Sequence, residues 1–467
     1  MDNQTLKDNW QIYLQKNSRW HNKFHLEMPF GLVNDPNGLC FYDNAYQIFY
    51  QWNPTSCEHK NKHWGYTQTK DFINYTIPQI ALAPVDDFDK HGCYSGSARS
   101  KNSKLEIFYT ANLKDENNIR YPRQILAVKN KDNSFTKKEI IIETVPKGYT
   151  THFRDPYLFS RDNHSFMILG AQRENLTGTA LIYEEISENN WQFKGELKTN
   201  YPDFGYMWEC PNMLSIDGYD VLLFCPQGLK PQGNKYNNLY QSGYLIGKFN
   251  PDTLEFTHGE FQELDSGFDF YAPQVLVHED RNILIGWIGM PERETEYPTT
   301  VEGWIHSLTM PRLLQLKDNK IYQTPISELN NLTKTAHYDL TKINVPSKID
   351  LEINLKNLDR WQGTIKIQGE NLILSYDKLT QEFCIDRTHL TLGSKGKRLF
   401  KVKAADILKL EIYVDTSIME IYCQNGQACA TLCYYPQDIS KSISFDINCN
   451  KNAVKAKIYE LNSFNFI

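Results

Sequence analysis

Asn34-Asp35-Pro36-Asn37-Gly38 is the stretch on which the reading of this chain turns. Alone it is a turn, because Asn, Asp, Pro and Gly punctuate chains in that way. Four other short polar, proline or small-residue stretches echo it: Tyr94-Ser95-Gly96-Ser97, Arg154-Asp155-Pro156, Glu209-Cys210-Pro211-Asn212 and Tyr271-Ala272-Pro273-Gln274. With Asp35, Ser95, Asp155, Glu209 and Ala272 as markers, the steps are 60, 60, 54 and 63 residues. An apolar run follows each marker, at residues 46–52, 105–109, 166–169, 221–225 and 283–288, with a lag of 11, 10, 11, 12 and 11 residues. A fixed period with a fixed internal lag is the signature of a repeat architecture.

Working outward, each repeat reads as short strands separated by turns. Asp43-Asn44, Asp162-Asn163 and Asp217-Gly218 mark hairpins at matching points of three units. Repeats of this length hold about four strands, which fits a five-bladed β-propeller. Closing the ring leaves few exposed sheet edges, and it brings equivalent positions of all blades to one central channel. The five stretches are therefore expected to meet at one mouth. The expected fold is all-β: a five-bladed β-propeller over residues 25–316, a linker over 317–345 with a short helix near 326–329, and a β-sandwich over 346–467. Residues 1–24 read as a helical extension, with Leu6, Trp10, Tyr13 and Leu14 at helical spacing and Asn17-Ser18 as its stop.

Composition narrows the class of function. The chain has 467 residues, 40% apolar and 23% charged, as in an ordinary globular protein. A net charge of -6 offers no electrostatic case for nucleic acid or for a membrane surface. The polar start of the chain and the lack of a long apolar run favour a cytoplasmic protein. The ten Cys are scattered without a Cys-x-x-Cys pair and are expected to be reduced. A partner that is a small sugar, a monomer or homodimer, and no metal or cofactor complete the expectation.

Three acids stand beside a Pro or Cys-Pro at the start of presumed inner strands: Asp35, Asp155 and Glu209. Glycoside hydrolysis needs two carboxyls flanking a bond, one ionised to attack and one protonated for the leaving oxygen. Crowding separates their pKa values, because neighbouring carboxylates resist simultaneous ionisation. Met207-Trp208 beside Glu209 is compatible with a raised pKa there. Taken singly, each stretch reads as a turn or a surface ion pair. Recurrence at one phase of a repeat makes a shared site the better reading. Metal is the rival use for three acids, but no Asp-x-Asp-x-Asp-Gly loop and no His pair at ligand spacing accompanies them.

These residues resemble glycoside hydrolase family 32, the family of invertases, fructan hydrolases and bacterial sucrose-6-phosphate hydrolases. The resemblance runs through His25-Leu26, Asn34 to Gly38, Phe49-Tyr50-Gln51-Trp52-Asn53-Pro54, Tyr94 to Ala98, Phe153 to Pro156, Trp208 to Pro211, Phe270 to Gln274, Gly303-Trp304 and Met310-Pro311-Arg312. It continues in the C-terminal part through Tyr413 to Glu420. The resemblance implies that Asp35 is the nucleophile, Glu209 the acid and base, and Asp155 the stabiliser that holds fructose hydroxyls. It implies substrate contacts at Asn34, Gln51, Trp52, Tyr94, Ser95, Arg154, Tyr271 and Trp304, with Tyr271 tuning the acid. It implies hydrolysis with retention, and a substrate of sucrose 6-phosphate or sucrose, with fructan hydrolysis, fructosyl transfer or non-catalytic sugar binding as alternatives. The pattern departs at Leu32, where many members have Trp, at Tyr94 for the usual Phe, and at Asn74-Tyr75 for a common His-Trp. Lys230, Lys235, His63 and Arg173 are the cations considered for a phosphate, with Lys230 or Lys235 favoured.

Overall fold

The structure, a computed structural model, describes residues 3–15, 19–438, 442–449 and 453–467. Five antiparallel sheets form the propeller. Their first, second and third strands are Gly31–Tyr42, Ala45–Asn53 and His63–Thr69 in blade 1, and Cys93–Lys101, Lys104–Ala111 and Arg123–Lys129 in blade 2. Blade 3 has Tyr149–Arg161, His164–Arg173 and Gly178–Ser187, and blade 4 has Met207–Ile216, Tyr219–Gln227 and Gly243–Asn250. Blade 5 begins with Tyr271–His278 and Arg281–Ile288. The marker stretches all fall on the first strands, which pack side by side around the axis.

The second strand of blade 1, Ala45–Asn53, is buried at every position, and those of the other blades are buried except at their ends. A strand covered by neighbouring blades on both faces loses the alternation of a half-exposed strand. The hairpin turns are made as their residues dictate. Asp43 and Asn44 lie at φ 51° and 55°, Asp162 and Asn163 at 48° and 63°, and Asp217 and Gly218 at 49° and 78°. That left-handed pair matches the twist of the flanking strands.

The ring closes through Trp304–Ile305, which pairs in parallel with Gly31 and Leu32 of blade 1. The indole of Trp304 is buried and stacks on His21 at 4.4 Å. Trp304 thus takes part in ring closure and does not line the channel mouth, where a substrate contact was expected of it.

The expected linker also takes a different form. Arg312–Lys317 and Lys320–Pro325 pair as the outer hairpin of blade 5, so the propeller continues to Pro325. Asp318-Asn319 is the turn, at φ 51° and 55°, and repeats the signal seen at Asp43-Asn44. A 3-10 helix, Ser327–Leu332, follows, and Thr333–His337 already pairs with Val454–Leu461 in the second domain. That domain is two sheets, of six and five strands, around a core that includes Ile349, Trp361, Leu374 and Ile412.

The N-terminal helix spans Asn3–Gln15 and buries Leu6 and Trp10 completely. Trp10 packs edge-on against Phe466, and Asn465–Phe466 adds in parallel to Asn74–Tyr75 of blade 1. Both ends of the chain thus cover the outer edge of one blade, where an open edge would invite pairing with another chain. The expected stop at Asn17-Ser18 is not settled, since residues 16–18 lie outside the described residues.

Candidate active site

Each inner strand carries a register irregularity at its marker. The pairing skips between Val33 and Pro36, Cys93 and Gly96, Arg154 and Tyr157, Glu209 and Asn212, and Tyr271 and Gln274. A bulge releases residues from the ladder and re-aims side chains. It also accommodates Pro156, Pro211 and Pro273, which have no N–H to donate. Asp155, Cys210 and Ala272, each just before a proline, sit at φ +64°, +48° and +45°. A non-glycine residue held there stores backbone strain, a recurrent feature of functional sites.

Residues at or next to these irregularities surround a cavity of about 590 Å³ at one mouth of the channel. Asp35, Asp155 and Glu209 all line it. Asp35 Oδ2 accepts the Ser95 hydroxyl at 2.6 Å, and Oδ1 accepts the Asn34 amide at 2.8 Å. The Lys62 ammonium donates to the Asn34 oxygen, which fixes the amide with its N–H₂ toward Asp35. Glu209 Oε1 accepts from Arg154 Nη2 at 2.7 Å and Nε at 3.2 Å. Its Oε2 accepts the Tyr271 hydroxyl at 2.6 Å. Asp155 Oδ2 accepts the backbone N–H of Cys210 at 3.0 Å and lies 4.0 Å from Arg154 Nε. The Cys210 thiol bridges the acids, 3.7 Å from Asp35 Oδ2 and 3.8 Å from Asp155 Oδ2.

Electrostatics separates these groups. Burial raises Asp155 to about 7; Arg154 opposes the shift, and Glu209 and Asp35 add like charge that reinforces it. Burial lowers the Lys62 ammonium to about 7, against the pull of Asp35 and Glu294. Burial holds the Tyr271 phenol well above its usual range, so it remains a donor to Glu209. Asp155, which carries this upward shift, is the deeper of the two acids beside Arg154, at 7% side-chain exposure against 17% for Glu209.

Of the expected contacts, Asn34, Gln51, Tyr94, Ser95, Arg154 and Tyr271 line the cavity. Trp52 does not: it is fully buried, donates its indole N–H to the Phe30 carbonyl at 3.1 Å and packs on the Phe30 ring. Its place is behind the wall, because alternate residues of a strand point to opposite faces and Gln51 holds the channel side. The four phosphate candidates also lie elsewhere. Arg173 is tied to Glu196 at 2.7 Å, and the His63 ring meets the Asn61 carbonyl at 2.9 Å. Lys230 is exposed, and Lys235 lines a separate cavity between blade 4 and the second domain.

Sequence reasoning missed Lys62, Arg120, His152, Tyr240, Glu292 and Glu294, all on the cavity wall. Lys62 immediately precedes the His63–Thr69 strand, so one marker per blade could not find it. Arg120 and His152 come from a loop of blade 2 and the start of the inner strand of blade 3.

The comparisons with known proteins bear on a site built this way. Residues 25–325 match the glycosyl hydrolases family 32 N-terminal domain, and residues 315–463 match the family 32 C-terminal domain. A sucrose-6-phosphate hydrolase of Bacillus subtilis (strain 168) is 38% identical over 427 residues, which is 88% of this chain and 88% of that protein. One from Staphylococcus xylosus is 34% identical, covering 95% of this chain and 93% of its own. Among solved structures, the sucrose-6-phosphate hydrolase from Lactobacillus gasseri superposes with a TM-score of 0.90 at 30% identity, covering 99% of this chain and 96% of the other. A Bombyx mori GH32 beta-fructofuranosidase mutant in complex with sucrose reaches 0.87 at 26% identity, over 100% and 99%. Two family domains that together span nearly the whole chain, and a relative 38% identical over 88% of both proteins, make this protein a glycoside hydrolase belonging to family 32.

Proposed function

We propose that the enzyme cleaves the fructosyl–glucose bond of sucrose 6-phosphate, and of sucrose, with retention at the fructosyl carbon. The observation that carries the reading is that Asp35 and Glu209 open onto one cavity, each held by a different set of donors. Asp35 attacks the anomeric carbon and forms a fructosyl-enzyme ester. Ser95 and Asn34 occupy one lone pair of each Asp35 oxygen and aim the carboxylate. Glu209 gives its proton to the bridging oxygen as glucose or glucose 6-phosphate leaves. It then takes a proton from water, which attacks the ester and frees fructose. Asp155 holds fructose hydroxyls, and Arg154 sits between it and Glu209.

The phosphorylated substrate is supported by relatives from Bacillus subtilis, Staphylococcus xylosus and Vibrio alginolyticus that are described as sucrose-6-phosphate hydrolases. A cytoplasmic place is part of the same proposal. A phosphate ester does not cross a bilayer unaided, and ten free thiols suit a reducing compartment.

Asp35→Asn and Glu209→Gln are each expected to lower kcat by roughly a thousandfold or more while circular dichroism stays native. Fructose release from sucrose 6-phosphate, sucrose and inulin, assayed side by side, checks the substrate. Turnover by Asp35→Asn near the wild-type rate would sink the mechanism. Inulin as the best substrate would replace this reading by fructan hydrolysis.

A further inference from the structure

The rim of the catalytic cavity is electrically divided. Glu58, Glu292 and Glu294 come from the neighbouring blades 1 and 5, and Arg120, His152 and Arg154 from blades 2 and 3. Of the Lys and Arg residues on this wall, two are already engaged: Lys62 donates to Asn34, and Arg154 to Glu209. Arg120 is half-buried, and no hydrogen bond or ion pair of its guanidinium is found among the described residues. Its five N–H donors are therefore free.

Its position is fixed by the loop that carries it. Asp115 Oδ1 accepts the N–H groups of Asn117 at 2.9 Å and Ile119 at 2.8 Å, and Oδ2 accepts the Tyr121 hydroxyl at 3.1 Å. Lys114 and Arg120 then close the loop as a bridge.

A line of contacts runs from the acid outward: Glu209 to Arg154, then Arg154 Nη1 to His152 Nδ1 at 3.1 Å. An arginine only donates, so Nδ1 accepts and the neutral ring carries its proton on Nε2. Burial, with Arg154 and Arg120 as like charges, lowers His152 to about 4, so the ring is neutral near pH 7. His152 thus adds a donor without a charge beside Arg120. An anion in the cavity is repelled by the carboxylates Glu58, Glu292 and Glu294 and attracted by Arg120.

We propose that Arg120, with the His152 Nε2–H beside it, binds a phosphate monoester on the leaving glucose and so sets the preference for phosphorylated over plain sucrose. Planar N–H pairs match phosphate oxygens two at a time, which a lysine ammonium does not do. This rests on the sucrose 6-phosphate reading above.

The test uses the full-length enzyme, Arg120→Ala and Arg120→Lys. The ratio of kcat/KM on sucrose 6-phosphate to that on sucrose is expected to fall at least tenfold in Arg120→Ala, mainly through KM, with Arg120→Lys between. Inhibition of sucrose hydrolysis by glucose 6-phosphate should weaken at least tenfold in Arg120→Ala, with inhibition by glucose following any general loss of binding. A wild-type ratio near one refutes the substrate reading, and the inhibitor comparison then still decides whether Arg120 is an anion site. A wild-type preference that survives in Arg120→Ala within threefold, or equal weakening of both inhibitors, overturns the assignment to Arg120.

Discussion

Arg154 serves two carboxylates at once, 2.7 Å from Glu209 and 4.0 Å from Asp155. One guanidinium cannot neutralise both, and the more deeply buried acid carries the unmet cost. Asp155 is raised from 3.8 to about 7, with burial as the leading cause. The sign follows by linkage. Unfolded, this carboxyl ionises near pH 4; folded, it resists ionisation until about pH 7. Asp155 therefore withdraws stability progressively as pH rises from about 4 to 7 and no further above that. Asp155→Asn should match the wild type in thermal unfolding below pH 4 and exceed it by an amount that grows to pH 7, on the order of 1–3 kcal/mol. If Asp155 holds substrate hydroxyls as proposed, kcat should fall sharply, because the amide offers one acceptor oxygen where the carboxyl group has two. A melting temperature gap that stays flat with pH would remove the account. The three acids were legible as residue types beside proline. The rise of Asp155 depends on burial and on the charges packed around it, neither of which a one-dimensional string displays.

At the scale of elements, the bulge in each inner strand is the working part. Five strands skip register at the same phase, and residues within the skip or bordering it line the cavity: Asn34, Asp35, Tyr94, Ser95 and Asp155 within it, Arg154, Glu209 and Tyr271 at its border. This required neighbouring strands to approach closely. Gly170 lies opposite Arg154 in blade 3, and a Cβ there would stand 1.9 Å from the Trp208 carbonyl oxygen of blade 4. Trp208 immediately precedes Glu209, so this glycine sets the spacing between the two arms of the Arg154–Glu209 pair. Gly170→Ala should cost about 1–3 kcal/mol. It should also lower kcat by more than the lost stability accounts for, measured well below the unfolding midpoint. A full-rate, stable Gly170→Ala would show that the blades can part without disturbing the pair. The periodic markers were legible because Pro and Gly punctuate strongly. The outer hairpin of blade 5 was not credited to the propeller, although Asp318-Asn319 carries the same turn signal as Asp43-Asn44, because the repeat was tracked by its inner strands alone.

Across the whole molecule, a buried ionic network locks the second domain to the ring. His25 meets Asp415 at 2.8 Å and Glu420 at 3.1 Å; Arg312 meets Glu420 at 2.7 Å and Asp265 at 3.0 Å. All five side chains are closed to solvent, with His25 and Arg312 from the propeller side and Asp415 and Glu420 from the sandwich. Burial works against the His25 charge, but Asp415 and Glu420 overcome it and raise His25 to about 9. Glu420 is lowered to about 2, because Arg312 and His25 outweigh the burial that would raise it. His25 therefore stabilises fully below pH 6.5 and loses that contribution as pH rises to about 9. Glu420 stabilises above pH 4.5 and loses its contribution as pH falls toward 2. Both are complete between about pH 4.5 and 6.5, where chemical unfolding should show the network at full strength. Arg312→Met should cost roughly 3–5 kcal/mol, since it strands the buried Asp265 carboxylate and leaves Glu420 with His25 alone. A urea midpoint unchanged by Arg312→Met would mean that the domains hold together without the network.

The sequence by itself determined the architecture and the acids. A period near 60 residues, with one polar stretch per unit, admits few closed arrangements, and closure forces those stretches together. Local chemistry also determined the turns, because left-handed pairs select Asn, Asp and Gly. Tertiary structure alone decided which aromatic rings face the channel, so that Trp52 and Trp304 became wall and clasp. It alone brought Lys62, Arg120 and His152 to the cavity. These depend on which side of a strand a residue occupies and on how loops from different blades meet, and both are set by packing between segments far apart in the chain.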